Sequence, residues 1–155
     1  MANVYTGHDG VITIADTGDS LTAGTAGIGN LRNFTIEQTQ DTIETTTMSA
    51  GGTTGTGMRT YQPGLSTWTI TGDVYFDHAD AYQEKLDELV SKTGQESIAN
   101  IVAYPSGSGT SETPANCSLT GDCIITSWSI TSSVDGAVEA SFSAQGTGSL
   151  TYAAI

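Results

Sequence analysis

The sequence predicts a mainly β protein: a β-sandwich or open barrel of antiparallel strands with one flanking α-helix and long loops. Several segments alternate apolar and polar residues with the two-residue period of a half-buried strand. One segment changes to the period of an amphipathic helix. Runs of Gly, Thr and Ser separate these segments, and 155 residues are enough for one hydrophobic core. These observations favour a single domain of six to eight strands and one helix.

The first strands are short. The segment GVITIAD, residues 10–16, alternates in the way expected of a strand. The segment LRNFTIEQTQ, residues 31–40, places Phe34 and Ile36 on one face and polar residues on the other. A further short strand is expected at DTIETTT, residues 41–47.

The segment STWTITGDVYFD, residues 66–77, has the strongest strand pattern in the chain. Its apolar face consists of Trp68, Ile70, Val74 and Phe76. The other face is mostly Thr and includes Asp73, which suits a sheet exposed to water. Gly72 interrupts the strand and indicates a bulge or a close approach of another chain segment.

Residues 77–93 change to a helical period. Their single apolar stripe consists of Tyr82, Leu86, Leu89 and Val90. We predict Asp77 as the N-cap and Gly94 as the C-terminal stop, with a solvated polar face that carries no site. A strand pattern returns at SIANIVAYP, residues 97–105.

The C-terminal hairpin has a register that depends on its turn. The apolar residues are Ile124, Trp128 and Ile130 in the first strand and Val138, Ala140, Phe142 and Ala144 in the second. A two-residue Asp135-Gly136 turn would pair even-numbered with odd-numbered positions, which would place the two apolar sets on opposite faces of the hairpin. A three-residue loop at 134–136, with Gly136 at positive φ, places Trp128 opposite Phe142, and we expect this loop.

The charge balance argues against tight binding of nucleic acid. Four Lys and Arg residues face 17 Asp and Glu residues, giving a formal net charge of -13, and the four cations do not cluster. Binding a polyanion requires a basic patch. An acidic surface facing a channel would instead repel DNA. No leader or membrane-length apolar segment is found, so we expect synthesis in the cytoplasm and no membrane insertion.

Motifs for catalysis or cofactor binding are weak. Asp16-Thr17-Gly18 follows an apolar strand and looks like the active-site turn of dimeric aspartic proteases, but the second signature of that family is missing. His8 and His78 lack partners for a triad or a metal site. We predict no enzyme activity, no catalytic or metal site and no cofactor.

The two cysteines, Cys117 and Cys123, flank the segment SLTGD. Gly121 suggests a hairpin turn that would bring them opposite each other, which leaves a free thiol pair and a cross-hairpin disulfide both open. They are not a zinc site, because no second pair of ligands accompanies them.

Residues 43–64, IETTTMSAGGTTGTGMRTYQPG, contain too few apolar side chains to bury themselves. A loop of this length is uncommon in a compact domain unless something outside the domain orders it. Met, Tyr and Arg are enriched where subunits meet. We therefore predict a set of inter-subunit residues, the alternative being that each is singly exposed: Tyr5, Thr46, Met48, Met58, Arg59 and Tyr61.

The order of these parts resembles the major tail tube proteins of long-tailed bacteriophages. The resemblance covers about residues 10–150. It rests on DTIETTTMSAGG at 41–52, on MRTYQPGLSTWTITGDVYFD at 58–77 with its Arg-x-Tyr-x-x-Gly-Leu core, on the following helix, and on ITSWSITSSVDGAVEASFSAQGTGSL at 125–150. The cysteines are not part of the family pattern.

The resemblance implies a tail-tube fold and a structural role in the virion tail, assembled in the cytoplasm of the bacterial host. Such proteins form hexameric rings whose inner strands build a continuous β-barrel. The rings stack around a tape-measure protein into the tube that conducts DNA at ejection, and related tubes occur in contractile injection and type VI secretion machines. Tail terminator and baseplate proteins are further expected partners.

On this interpretation the chain is one domain, 1–155, with an N-terminal arm at about 1–9 and an assembly loop at about 43–64. The residues expected to face the lumen are Glu37, Glu44, Asp73 and Glu139. The alternative is another self-assembling β-sandwich, such as a capsid decoration protein or a pilin-like or adhesin-like protein. A dimeric aspartic protease is the least favoured.

Overall fold

The computed structural model describes residues 10–16, 28–47, 58–91, 98–105 and 117–154. In these ranges the chain forms six strands and one helix: β1 (Val11–Asp16), β2 (Leu31–Glu44), β3 (Tyr61–Tyr75), α1 (Ala81–Ser91), β4 (Ala99–Tyr104), β5 (Cys117–Thr131) and β6 (Glu139–Ala154). All six strands form one antiparallel sheet in the order β1-β4-β5-β6-β3-β2. The predicted mainly β class with one flanking helix is confirmed.

One face of the sheet carries the hydrophobic core. The alternation of β3 buries Trp68, Ile70 and Val74, as its sequence predicts. The adjacent strand β6 contributes Ala140, Phe142 and Ala144 to the same face. Helix α1 packs on this face against β5 and β1. In the described residues no helix is long and apolar enough to span a bilayer.

Two aromatic side chains lie directly over glycines of neighbouring strands. A Cβ atom on Gly72 would lie 2.6 Å from Cε1 of Phe142, its cross-strand partner. A Cβ atom on Gly146 would lie well inside 3.0 Å of the indole of Trp68, which also lies over Gly121. The close approach predicted at Gly72 is confirmed, and the glycines let large rings lie flat on the sheet.

Helix α1 begins later than predicted. Its N-cap is Asp80, whose Oδ1 accepts a hydrogen bond from the backbone N–H of Tyr82 at 2.9 Å. Asp77 instead closes the preceding turn, because its Oδ1 accepts from the backbone N–H of Ala79 at 3.0 Å. The predicted cap at Asp77 is therefore wrong, whereas Gly94 lies outside the described residues.

The polar face of α1 is not fully solvated, contrary to the prediction. Gln83 is 2% exposed, and its amide Nε2 donates to the carbonyls of Gly29 and Tyr75, both at 3.0 Å. Its Oε1 accepts from the backbone N–H of Asp77. Lys85 is also buried and pairs with Glu88 at 3.0 Å. Gln83 thus fastens the helix to the end of β3 and to the turn before β2.

The cysteines do not flank a hairpin. Both lie on β5, where Gly121 is an interior strand residue and not a turn. Six residues of extended strand separate Cys117 and Cys123 by roughly 20 Å, far beyond the reach of a disulfide. Both thiols are free.

The register of the β5–β6 hairpin agrees with the prediction, but the predicted three-residue loop is wrong: the strands end at Thr131 and Glu139, so residues 132–138 connect them. Two further details also differ. Trp128 pairs with Phe142, as predicted. A register shift after Ile125 places Ile124 opposite Gln145 on the other face, so Ile124 does not share a face with Trp128. Gly136 is not at positive φ; among the described glycines Gly148 is, with φ 77°.

Candidate assembly surfaces

The face of the sheet opposite the core is polar. On β3 it carries Thr67, Thr69, Thr71 and Asp73, and the neighbouring strands add Ser127, Ser129, Ser141 and Ser143. Facing hydroxyls pair across the strands: Ser127 with Ser143 at 2.6 Å and Ser129 with Ser141 at 2.8 Å. We call this surface of β2, β3, β6 and β5 the polar face.

Three of the four carboxylates predicted to face a lumen share the polar face. Glu37 pairs with Thr69, and Asp73 with Ser141, at positions of that face. Glu139 accepts a 2.6 Å hydrogen bond from Nη1 of Arg32, whose guanidinium lies 4.9 Å from the ring centre of Tyr75. The one described cation of this region is therefore held by a carboxylate and an aromatic ring. Whether this face lines a lumen stays a prediction.

Strands β2 and β3 continue beyond the rest of the sheet as two paired strands. Together with the described residues that follow β2 and precede β3, they form a ribbon of residues 39–47 and 58–67. β3 pairs with β6 only from Thr69 to Tyr75, whereas its pairing with β2 extends to Glu44 and Tyr61. The predicted strands at 31–40 and 41–47 are thus one strand up to Glu44. A two-stranded hairpin with no third strand is only marginally stable in water.

The ribbon exposes apolar side chains. The exposed fractions are 80% for Leu65, 71% for Met58, 56% for Ile43 and 53% for Tyr61. These residues have no core of their own to enter, in contrast to scattered single exposures on an ordinary surface.

The structure brings four of the predicted inter-subunit residues together on the ribbon. Met58 and Arg59 come just before Tyr61, the first residue of β3. Thr46 lies opposite Thr60, where its Oγ1 accepts from the backbone N–H of Thr60 at 2.8 Å. Arg59 is 72% exposed and lies 3.9 Å from Glu44, which places the fourth predicted lumen carboxylate on the ribbon. The inter-subunit role remains a prediction.

Two further residues predicted at subunit contacts, Tyr5 and Met48, lie outside the described residues. The same holds for residues 48–57 of the predicted assembly loop and for the arm at 1–9. Within the predicted loop, residues 43–44 belong to β2 and residues 61–64 to β3.

The polar part of the sheet has two edges without a partner in the described chain. β2 is the last strand of the sheet on one side. On the other side β4 pairs with β5 only between Leu119 and Cys123, so residues 124–131 of β5 pair with β6 alone. Unpaired strand edges can accept a strand from another chain.

A groove of about 300 Å³ lies where β3 ends and α1 begins. Its lining consists of Phe76, Asp77, His78, Gln83, Glu84, Asp87, Trp128 and Ile130. Phe76 and Ile130 are 37% and 49% exposed, so the floor is apolar while carboxylates surround it. The sequence missed this groove, although the i, i+3 spacing of Glu84 and Asp87 was an available sign of an acidic helix face.

The described residues do not form a catalytic or metal-binding arrangement. No group of three or more His, Cys, Asp or Glu within them is placed to hold a metal ion. His78 is exposed in the turn before α1, and His8 lies outside the described part of the chain. Asp16 is the last residue of β1, and the rest of the protease-like tripeptide is not described. Burial, together with the nearby Asp122, raises the pKa of the Cys123 thiol to about 12, which makes that thiol unreactive.

Comparisons with known proteins agree with this arrangement. No curated protein sequence matches the chain. The fold is similar to that of a chain in the tail of an empty gene transfer agent particle refined with C6 symmetry, with a TM-score of 0.71, 19% identity and coverage of 97% of this chain and 100% of that one. The SPP1 tail tube is similar with a TM-score of 0.67, 18% identity and coverage of 98% and 80%.

A third similar structure is the sheath-tube complex of an extracellular contractile injection system, with a TM-score of 0.67, 12% identity and coverage of 98% and 93%. At these identities the three likenesses establish the fold. The family described as phage tail tube protein matches residues 4–152, nearly the whole chain. The chain therefore belongs to the phage tail tube protein family and is a structural protein of a phage-like tail, not an enzyme.

Proposed function

We propose that six copies of the chain form a ring, that the rings stack into a tube, and that the polar face lines a water-filled lumen through which DNA passes. The observation that carries this proposal is a four-strand sheet, β2-β3-β6-β5, that is polar on one face. Within the described chain its outer edges are unpaired along β2 and along residues 124–131 of β5. A surface of this kind is completed by copies of itself.

The two edges have compatible directions. Successive strands in the order β5-β6-β3-β2 are antiparallel, so β5 and β2 run in opposite directions. Residues 124–131 of β5 in one subunit can therefore pair with β2 of its neighbour without breaking the antiparallel order. Repeating this contact around a ring closes the sheet into a barrel and removes its edges.

The size of such a barrel suits a DNA conduit. Four strands from each of six subunits, spaced about 4.8 Å apart and tilted by about 40°, give a backbone diameter of roughly 48 Å. Side chains on the inner surface narrow this by about a quarter, which still leaves room for a hydrated duplex. The C6 symmetry of the gene transfer agent tail of the same fold supports a ring of six.

The chemistry of the polar face suits passage without binding. Six of the Ser and Thr hydroxyls on this face pair with one another across the strands, which reduces the number of donors open to phosphate. Glu37 and Asp73 repel a polyanion, and Glu139 neutralises Arg32, the cation on the described part of this face. Glu44, on the ribbon, is proposed for the lumen near the contact with the next subunit.

The ribbon and the rest of the assembly loop at 43–64, with Met48, are proposed to pack on another subunit. The arm at 1–9, with Tyr5, is proposed to pack there as well. The exposed Leu65 and Ile43 of the ribbon would become buried in the tube. Other proposed partners are a tape-measure protein within the lumen and terminator and baseplate proteins at the tube ends.

The test is electron microscopy of the purified full chain at high concentration, in negative stain and then in vitreous ice. We expect hollow filaments with six-fold symmetry. Deletion of residues 49–57 and the substitution Leu65→Asn should each abolish filaments while leaving the unfolding temperature of the unassembled chain unchanged. Val134→Asn is the control, because Val134 is fully exposed but lies in the β5–β6 turn.

Monomers or trimers from the full chain at all concentrations would contradict the tube and favour a decoration protein. Filaments of another symmetry would support a tube but contradict a ring of six subunits. Filaments from the deletion variant would show that residues 49–57 are a surface loop without a role in assembly.

A further inference from the structure

The groove between the end of β3 and α1 has the features of a docking site for a cationic, apolar segment. Its floor is formed by Phe76, Trp128 and Ile130, which are all partly exposed. Glu84 and Asp87, exposed on the first turns of α1, stand at its rim. Their carboxylates form no ion pair with the described cations. An apolar floor with unpaired carboxylates at the rim favours an occupant that carries both an apolar side chain and a positive charge.

The same chain carries a segment of this chemistry. On the ribbon, Met58 and Tyr61 are 71% and 53% exposed, and Arg59 between them is 72% exposed. The chain has only four Lys and Arg residues. Arg32 is held by Glu139, and Lys85 is buried beside Glu88. Lys92 lies outside the described residues, so Arg59 is the remaining described cation. The contact of Arg59 with Glu44, at 3.9 Å between exposed groups, is weak and leaves the guanidinium available.

The two complementary surfaces lie at opposite ends of one strand. Tyr61 begins β3 in the ribbon, and Tyr75 ends it beside Phe76 in the groove. Fourteen residue steps of about 3.3 Å separate these ends by roughly 46 Å, so one subunit cannot dock on itself. Complementary patches at opposite ends generate head-to-tail association, which continues as an open filament.

We propose that residues 58–61 of one subunit dock in the groove of a second copy displaced along the strand direction, with Arg59 paired to Glu84 and Asp87 and with Met58 and Tyr61 on the apolar floor. This inference rests on the proposed tube and names the contact that joins one ring to the next. The two proposed assembly steps therefore use different surfaces: ring closure uses the strand edges, and ring stacking uses this groove.

The test uses two variants that damage opposite halves of the contact. Arg59→Glu makes the ribbon acidic, and Asp87→Lys makes the groove rim basic. Each variant alone should give six-fold rings and no tubes. Mixed in equal amounts, they should form tubes of alternating rings, because the acidic ribbon fits the basic rim and the unaltered ribbon fits the unaltered groove. Asp135→Lys, the same charge change on an exposed turn outside the groove, should form tubes like the wild-type chain.

Electron microscopy and sedimentation velocity distinguish the outcomes. Tubes from Arg59→Glu alone, or from Asp87→Lys alone, would overturn the docking contact while leaving the proposed tube intact. Failure of the mixture to form tubes would overturn the pairing of these two residues. Absence of both rings and tubes from the wild-type chain would overturn the proposed function, and the docking contact with it.

Discussion

Substitution of Gly146 by Ala tests the packing that holds the sheet together. The indole of Trp68, which is 3% exposed, lies so close to Gly146 that an added methyl group would overlap three of its ring atoms. The indole Nε1 also donates to the carbonyl of Gly148 at 3.3 Å, so a displaced ring loses that hydrogen bond. Gly146 is not at positive φ, so the backbone can accept Ala and the effect is steric.

The magnitude follows from three terms. Overpacking a core typically costs about 1–3 kcal/mol. The weakened indole hydrogen bond adds about 1 kcal/mol. Ala also lowers the conformational entropy of the unfolded chain, which stabilises the folded state by about 0.4–1 kcal/mol and offsets part of this loss. The free energy of unfolding should therefore fall by about 2–3 kcal/mol, which lowers Tm by roughly 5–10 °C for a domain of this size.

The assay is chemical and thermal unfolding of the unassembled chain at low concentration, since assembly would add stability by mass action. Two glycines serve as controls. Gly136→Ala meets no atom within 4 Å and should change stability by less than about 0.5 kcal/mol. Gly148→Ala also has open space but a φ of 77°, and backbone strain alone should cost about 1 kcal/mol. Equal stability of the Gly146 and Gly136 variants would refute the position of Trp68 over the sheet.

Three further predictions concern a thiol, a buried amide and the polar face. The pKa of Cys123 is raised by burial from 9.0 to about 12, so the folded state keeps a proton that the unfolded state releases, and stability should fall by up to about 1.4 kcal/mol per pH unit above pH 9. Cys123→Ala should remove that slope from urea titrations, and an unchanged slope would assign it to other groups. Gln83→Leu should cost about 3 kcal/mol in urea unfolding, because two carbonyls and one N–H lose their partner, whereas Gln62→Leu on the exposed ribbon should change little. Tubes carrying Glu37→Lys and Asp73→Lys should retain DNA in a salt-dependent manner, and tubes that still exclude DNA would contradict a lumen position for these residues.

Local patterns predicted the parts of the fold that local contacts decide. The alternation of β3 identified its buried face because strand side chains alternate regardless of what covers them. The pairing of Trp128 with Phe142 was predicted correctly, although the connection between the strands spans residues 132–138 and not 134–136. Gly121 was misinterpreted as a turn residue. It is a glycine because Trp68, more than fifty residues earlier in the chain, lies against it, and no local pattern carries that information.

The same distinction between local and distant contacts decides which candidate surfaces could be predicted from the sequence. The polar face could be predicted because Thr and Ser alternate with apolar residues within single strands. The groove could not, since Phe76, Glu84 and Trp128 come from three separate segments that meet only in the folded chain. The buried state of Gln83 escaped prediction because it depends on how α1 folds back on the chain: one partner is the carbonyl of Gly29, 54 residues earlier, and another is the carbonyl at the end of β3.

The unpaired edges of the described sheet are a risk for aggregation before the proposed assembly takes place. Long exposed strand edges normally invite pairing with other chains, and charge is one means of preventing it. β2 carries Glu37, Asp41 and Glu44 along its length, and the whole chain has a net charge of -13. The net negative charge makes two subunits repel each other while they are still apart. The β5 edge at 124–131 contains no charged residue, so local repulsion between this edge and β2 is small. Random edge pairing between two copies of β2 is thus disfavoured, whereas the pairing of β2 with β5 that the proposed ring requires is not opposed by charge on the β5 edge.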